Sequence, residues 1–170
     1  NENDAVVALS ASGRTPYAKG ALKYAKEVGA AHIAVSCSRN AELSKFGEVA
    51  IEVVTGAEVI TGSTRLKAGT AQKMILNMLS TGSMIKSGKV YGNYMVDVRA
   101  GNHKLVERSK KIIVDCTGVS REEAEKYLEI SEGKVKLAVF MILSQLNKEE
   151  SIKVLEENDN TIYKALQAIK

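Results

Sequence analysis

Ala5-Val6-Val7-Ala8-Leu9 runs directly into Ser10-Ala11-Ser12-Gly13-Arg14-Thr15-Pro16. An apolar run without alternation, ending in a Ser/Gly/Pro cluster, predicts a strand buried on both faces, the kind that parallel sheets use. From Pro16 to about Val28 the period changes. Tyr17, Ala21, Tyr24, Ala25 and Val28 recur at spacings of three and four, and Gly29 offers a C-terminal cap. Further on, Ala31 to Ser36 predicts a second strand, Ala41 to Phe46 a short helix and Val49 to Val54 a third strand. This order implies right-handed crossovers and a parallel α/β sheet.

After Gly62 no further strand is expected. A long helix is predicted from about Arg65 to Ser87, with Ala71, Met74, Ile75, Met78, Leu79, Gly82 and Ile85 as its apolar stripe. Gly88 to about Val96 reads as irregular, and a helix follows from about Asn102 to Cys116. Ser120-Arg121-Glu122-Glu123 has the form of a capping box and opens a helix to about Ile130. Val135 to Leu146, Lys148 to Glu157 and Thr161 to Lys170 complete a set of short helices. The expected division is therefore residues 1–118 as a partial α/β domain and 119–170 as a small helical bundle.

Composition narrows the function. The 170 residues are 45% hydrophobic and 26% charged, a globular balance. Lys+Arg 24 against Asp+Glu 20 gives a net charge of only +4, and the two signs are interspersed. With no Trp and 5% aromatics, neither a basic stripe nor a base-stacking surface is expected, so nucleic acid is not a predicted partner. No run approaches the roughly 18 apolar residues of a membrane span. Two cysteines, Cys37 and Cys116, do not make a disulfide framework, so a reducing cytoplasmic setting is the default. His32 and His103 lie far apart, and no metal site is expected. The chain begins Asn1-Glu2-Asn3-Asp4 and enters a buried strand at once, which suggests a piece of a longer protein.

Ser10 to Pro16 carries the chemistry. It lies where a strand hands over to a helix, at the carboxyl edge where open α/β folds bind ligands. Gly13 lets the backbone approach a ligand, Thr15 can cap the helix and Pro16 suits its first position. Ser10, Ser12 and Thr15 add hydroxyls to the unpaired N–H groups of a helix N-terminus, a combination suited to a phosphate monoester. Neither G-x-x-x-x-G-K-[ST] nor G-x-G-x-x-G is present. A second loop, Glu58 to Lys67, follows the third strand and should reach the same edge. It offers Ser63, Thr64, Arg65 and Lys67, with Glu58 as the carboxylate placed to meet a sugar hydroxyl or move a proton. Two such loops on one edge point to a sugar-phosphate pocket.

Ser10 to Tyr17 and Thr61-Gly62-Ser63-Thr64-Arg65-Leu66-Lys67-Ala68-Gly69-Thr70-Ala71-Gln72-Lys73 together resemble the signatures of the N-acetylmuramic acid 6-phosphate etherases. Lys89 to Asn93, Met95 to Asp97 and Thr117 to Glu125 fit as well, so the resemblance covers essentially the whole chain. The second signature is shared with the glucokinase regulatory protein. The resemblance implies a sugar isomerase (SIS) type parallel sheet flanked by helices, represented here by about three strands, and a tail similar to a ubiquitin-associated bundle. It implies a carbon–oxygen lyase that cuts the D-lactyl ether of its substrate with no metal or organic cofactor. A base takes the C2 proton, lactate leaves and water adds at C3, giving N-acetylglucosamine 6-phosphate and D-lactate in cell-wall amino-sugar recycling.

By the same resemblance Ser10, Ser12, Gly13 and Thr15 are expected to hold the phosphate, while the placement of the second loop puts Glu58, Ser63, Thr64 and Lys67 at the substrate as an expectation. By the resemblance, the family's acid–base glutamates are expected in an earlier part of the protein than the segment that opens at Asn1. No catalytic acid or base is therefore assigned. Glu58 is the only local candidate, and a substrate contact suits it better. The chain alone is expected to be inactive, and a homodimer is expected from the way SIS enzymes pair. The alternative is a non-catalytic sugar-phosphate-binding regulator of the glucokinase-regulatory-protein type.

Overall fold

The computed structural model describes residues 1–98 and 103–169 and divides the chain into two compact units, Asn1–Leu79 and Ser80–Lys170. In the first, β1 (Ala5–Ser10), β2 (Ala31–Ser36) and β3 (Val49–Glu52) form a parallel sheet in the order β1-β2-β3. The register runs Ala5 opposite Ala31 to Ser10 opposite Ser36, and Ile33 opposite Val49 to Ser36 opposite Glu52. Ser10, Ser36 and Glu52 therefore stand in one row at the carboxyl ends of the three strands. α1 (Pro16–Glu27) crosses back from β1 and buries Ala18, Leu22 and Ala25. A 3₁₀ helix, Glu42–Phe46, covers the same core with Leu43, and Ala8 and Ala34 supply the sheet side.

β1 is less enclosed than the sequence implied. Only Ala8 and Ser10 are fully buried in it, and on one side it pairs with β2 while its other backbone edge carries no strand among the described residues. β3 ends at Glu52, two residues before the expected limit. α2 (Lys67–Lys86) starts two residues later than expected because residues 64–66 form a turn before it. Its expected apolar stripe exists, but only Ala68 and Ile75 are buried. Met74, Met78 and Ile85 are exposed.

The second unit contains a strand pair where the sequence reading placed irregular chain. β4 (Val90–Tyr91) and β5 (Tyr94–Met95) pair antiparallel across Gly92-Asn93. Gly92 takes φ 57°, the left-handed backbone that such a two-residue turn requires. α3 (His103–Thr117), α4 (Arg121–Ile130), α5 (Val135–Ser144), α6 (Lys148–Glu157) and α7 (Ile162–Ala168) follow. The start expected at Asn102 lies outside the described residues. Ser120 accepts a hydrogen bond from the Glu123 N–H at 3.1 Å. The reciprocal box, with both arms, forms at Asn147 and Glu150.

α5 is apolar nearly all round and forms the centre of this unit. Val135, Val139 and Phe140 are fully buried with Ile113 of α3 and Ile162 of α7. α3 also carries Lys110, a buried lysine whose ammonium reaches Glu125 of α4 and lies 3.4 Å from Glu107. The hydrogen bond to Glu125, and then that to Glu107, holds its pKa above the usual lysine value against the opposing effect of burial. The division expected between 118 and 119 falls at the turn between α3 and α4, inside this unit. No helix among the described residues is long and apolar enough to cross a membrane.

Candidate sugar-phosphate site

The loop from Ser10 to Thr15 is built by its own hydrogen bonds. The Gly13 N–H donates to the Ser10 carbonyl at 3.0 Å, closing a tight turn just past β1. Ser10 and Thr15 share a hydrogen bond of 2.8 Å between their hydroxyls, so the two ends of the loop are tied together. Thr15 occupies the N-cap position of α1 without making the side-chain cap that the sequence suggested. Its hydroxyl is turned to Ser10 instead. Pro16 takes the first helical position as expected. The first-turn N–H groups of α1 have no intrahelical partner, and with the dipole end behind them they present positive potential beside the exposed Ser12 hydroxyl.

Gly13 is fixed by two demands. Its φ is +67°, and a Cβ built on it would lie 2.4 Å from the Ala41 Cβ. Its small size therefore lets the loop rest on the segment after β2, and a ligand is not needed to explain it. That segment also grips the loop by polar contacts. The Cys37 N–H donates to the Ala11 carbonyl at 3.0 Å and the Ser38 hydroxyl to the same oxygen at 3.1 Å. The Leu43 N–H donates to the Gly13 carbonyl at 2.8 Å. Sequence inspection missed Ser36, Ser38 and Ala41 because they carry no motif. The register of β1 on β2 is what brings them under the loop.

The second loop is arranged around Glu58. Its carboxylate accepts from the Lys67 N–H at 3.2 Å and the Ala68 N–H at 3.0 Å, so it closes the N-terminus of α2 from nine or ten residues away. The Ala68 N–H, and then the Lys67 N–H and ammonium, hold the carboxyl below the usual glutamate pKa. Lys67 extends its ammonium back to the Ala57 carbonyl at 2.8 Å. Ser63 is half-buried and Thr64 exposed, at the turn before the helix. Glu58 and Lys67 are thus engaged within the loop they were expected to lend to a ligand. A carboxylate that caps a helix in this way is ionised and poorly placed to give up a proton at neutral pH.

Cys37 links the two loops. It is buried, and its Sγ lies 3.7 Å from the Ala68 carbonyl, which puts the start of α2 beside the carboxyl end of β2. Burial first, and the nearby Glu58 charge second, push its thiol pKa up. That environment disfavours a nucleophile. His32 is a structural residue at the opposite end of β2, with Nδ1 3.0 Å from the Ala30 carbonyl. His103 is exposed at the start of α3. Among the described residues no group of three or more His, Cys, Asp and Glu side chains is arranged to hold a metal ion.

Residues 1–82 match the SIS domain model, and residues 92–166 match that of the C-terminal lid domain of glucokinase regulatory protein. The chain is 57% identical over 166 residues to an N-acetylmuramic acid 6-phosphate etherase of Bacillus cereus, a match that takes in 98% of this chain and 56% of that one. It is 53% identical to the etherase of Geobacillus thermodenitrificans over the same shares. For that of Clostridium beijerinckii the identity is 54%, over 99% of this chain and 55% of the relative. The chain resembles these etherases along nearly its whole length and spans about 56% of theirs.

Proposed function

We propose that this chain is the phosphate-holding portion of a carbon–oxygen lyase acting on N-acetylmuramic acid 6-phosphate. The reaction expels D-lactate from C3 and leaves N-acetylglucosamine 6-phosphate, as a step in cytoplasmic amino-sugar recycling. The observation that carries the reading is the Ser10–Thr15 loop. Two tethered hydroxyls, the exposed Ser12 and the open N-terminus of α1 converge at the carboxyl edge of a parallel sheet. Ser10, Ser12, Gly13 and Thr15 hold the phosphate. Ser63 and Thr64 line the sugar side, with Glu58 and Lys67 shaping that loop.

The chemistry after binding requires a base for the C2 proton and an acid for the departing lactate oxygen. The carboxylates bordering the two loops, Glu52 and Glu58, are both committed to backbone N–H groups. This chain therefore supplies binding, and the proton transfers belong to the remainder of the enzyme. The likeness of residues 92–166 to a regulatory protein's lid favours a second reading, a sugar-phosphate-binding regulator without catalysis.

Calorimetric titration with N-acetylglucosamine 6-phosphate tests the reading. The chain should bind it, and Ser12→Ala should weaken binding with little change in melting temperature. Incubation of the chain with the 6-phospho-muramic substrate should release no D-lactate. Equal affinity in Ser12→Ala would remove the loop from the site. Lactate release by the chain at an enzyme-like rate would place the acid and base within it. If the whole protein bound the sugar phosphate and released no lactate, the regulator reading would replace the lyase.

A further inference from the structure

We propose that Glu52 is a positioning residue for the phosphate loop, acting through the segment Cys37–Ser44 on which that loop rests. The inference builds on the phosphate-binding reading above and adds a residue outside both signature loops. Glu52 ends β3, in one row with Ser36 of β2 and Ser10 of β1. Its carboxylate gathers three donors: the Asn40 N–H at 2.8 Å, the Ala41 N–H at 2.9 Å and the Ser44 hydroxyl at 2.6 Å. Asn40 sits at φ 53°, a left-handed conformation that asparagine tolerates better than most residues. The carboxylate therefore holds a bend that backbone preference alone would not favour.

What the bend supports is the underside of the phosphate loop. Ala41 places its Cβ where a side chain on Gly13 would otherwise lie, and the Leu43 N–H grips the Gly13 carbonyl. Ala41 and Leu43 are buried, so neither shifts without disturbing its neighbours. The chain of contact is short: Glu52 fixes Asn40, Ala41 and Ser44, and within that segment Ala41 and Leu43 hold Gly13. Only an acceptor-only group serves three converging donors. Glutamine would turn an NH₂ toward one of them and replace attraction by repulsion. Side chains that orient the direct contacts of a binding site commonly alter affinity by about tenfold or more when removed.

The test uses the 170-residue chain and inorganic phosphate, titrated by calorimetry well below the melting temperature of every variant. Glu52→Gln is expected to bind phosphate about tenfold more weakly. Ser44→Ala removes one donor and keeps the carboxylate, so it should fold even where Glu52→Gln does not and give a smaller loss. Glu150→Ala, which removes the acceptor of the Asn147 N–H and so cuts one arm of the α6 capping box, is the control: it should lower the melting temperature and bind phosphate as the parent does. Faster hydrogen exchange at the Leu43 amide in Glu52→Gln would accompany the lost affinity. A folded Glu52→Gln with parental affinity, or a Ser44→Ala with parental affinity where Glu52→Gln fails to fold, overturns the proposal and leaves the loop reading intact. A parent chain that binds no phosphate removes the loop reading, and this inference with it.

Discussion

Gly13 shows how one residue can satisfy the fold before it serves a ligand. A side chain there would need a left-handed backbone and would overlap Ala41. Gly13→Ala should therefore cost roughly 2–4 kcal/mol, from backbone strain and overpacking together. The loss should appear as a lower denaturation midpoint, with weaker phosphate binding at temperatures where the variant is still folded. Unchanged stability would mean that the Ala41 segment yields without cost. The glycine itself was legible in the sequence, but its reason was not. A motif suggests close approach to a ligand, and in the fold the glycine closely approaches a methyl group 28 positions along the chain. Glu52 was invisible for the same reason: its three donors lie eight to twelve residues earlier, and nothing in Ile51-Glu52-Val53 announces them.

At the scale of elements, the order β1, α1, β2, short helix, β3 and long α2 follows from apolar runs alternating with helical spacing, and the structure keeps it. The β4–β5 hairpin escaped because each strand has only two residues, too few for alternation to register; the Gly92-Asn93 pair was the available signal. The place of α3 was not legible either. Its allegiance to α4 and α5 rests on Lys110, Ile112 and Ile113, whose partners are remote in sequence. Glu58 illustrates a subtler loss: its charge was readable, but its use as the N-terminal clamp of α2 was not. Because its folded-state pKa is lowered, the stability it adds is complete above the ordinary carboxylate value of about 4.3 and disappears as pH falls through the lower folded value. Hydrogen exchange at Lys67 and Ala68 should accelerate in Glu58→Gln at neutral pH. In the parent the protection of these amides, taken relative to the intrinsic exchange rate at each pH, should be lost only on acidification through that window. Identical profiles for the two proteins would show that the clamp contributes nothing.

For the whole molecule, the question is what covers the apolar surface that these residues leave bare. Met74, Met78 and Ile85 of α2 are exposed at 49%, 64% and 54%, and Val59 and Ile60 just before it at 83% and 70%. Scattered exposed apolar residues are ordinary, whereas several on one face of a long helix are a candidate for association. β1 adds a backbone edge with no strand partner among the described residues, a state that native sheets cover or protect. A second copy of the chain is the proposed occupant of the helix face. Light scattering at micromolar concentration should give a mass about twice that of the 18.3 kDa chain. Met78→Glu with Met74→Glu should shift the species toward monomer, because a buried contact would have to take up two unpaired carboxylates. The same pair of substitutions should leave phosphate affinity at the Ser10–Thr15 loop unchanged if that loop is complete within one copy. A parent chain that remains a monomer at every concentration would end the dimer proposal. A dimer that survives both glutamates would move the contact away from this helix face, with the β1 edge as the next surface to alter.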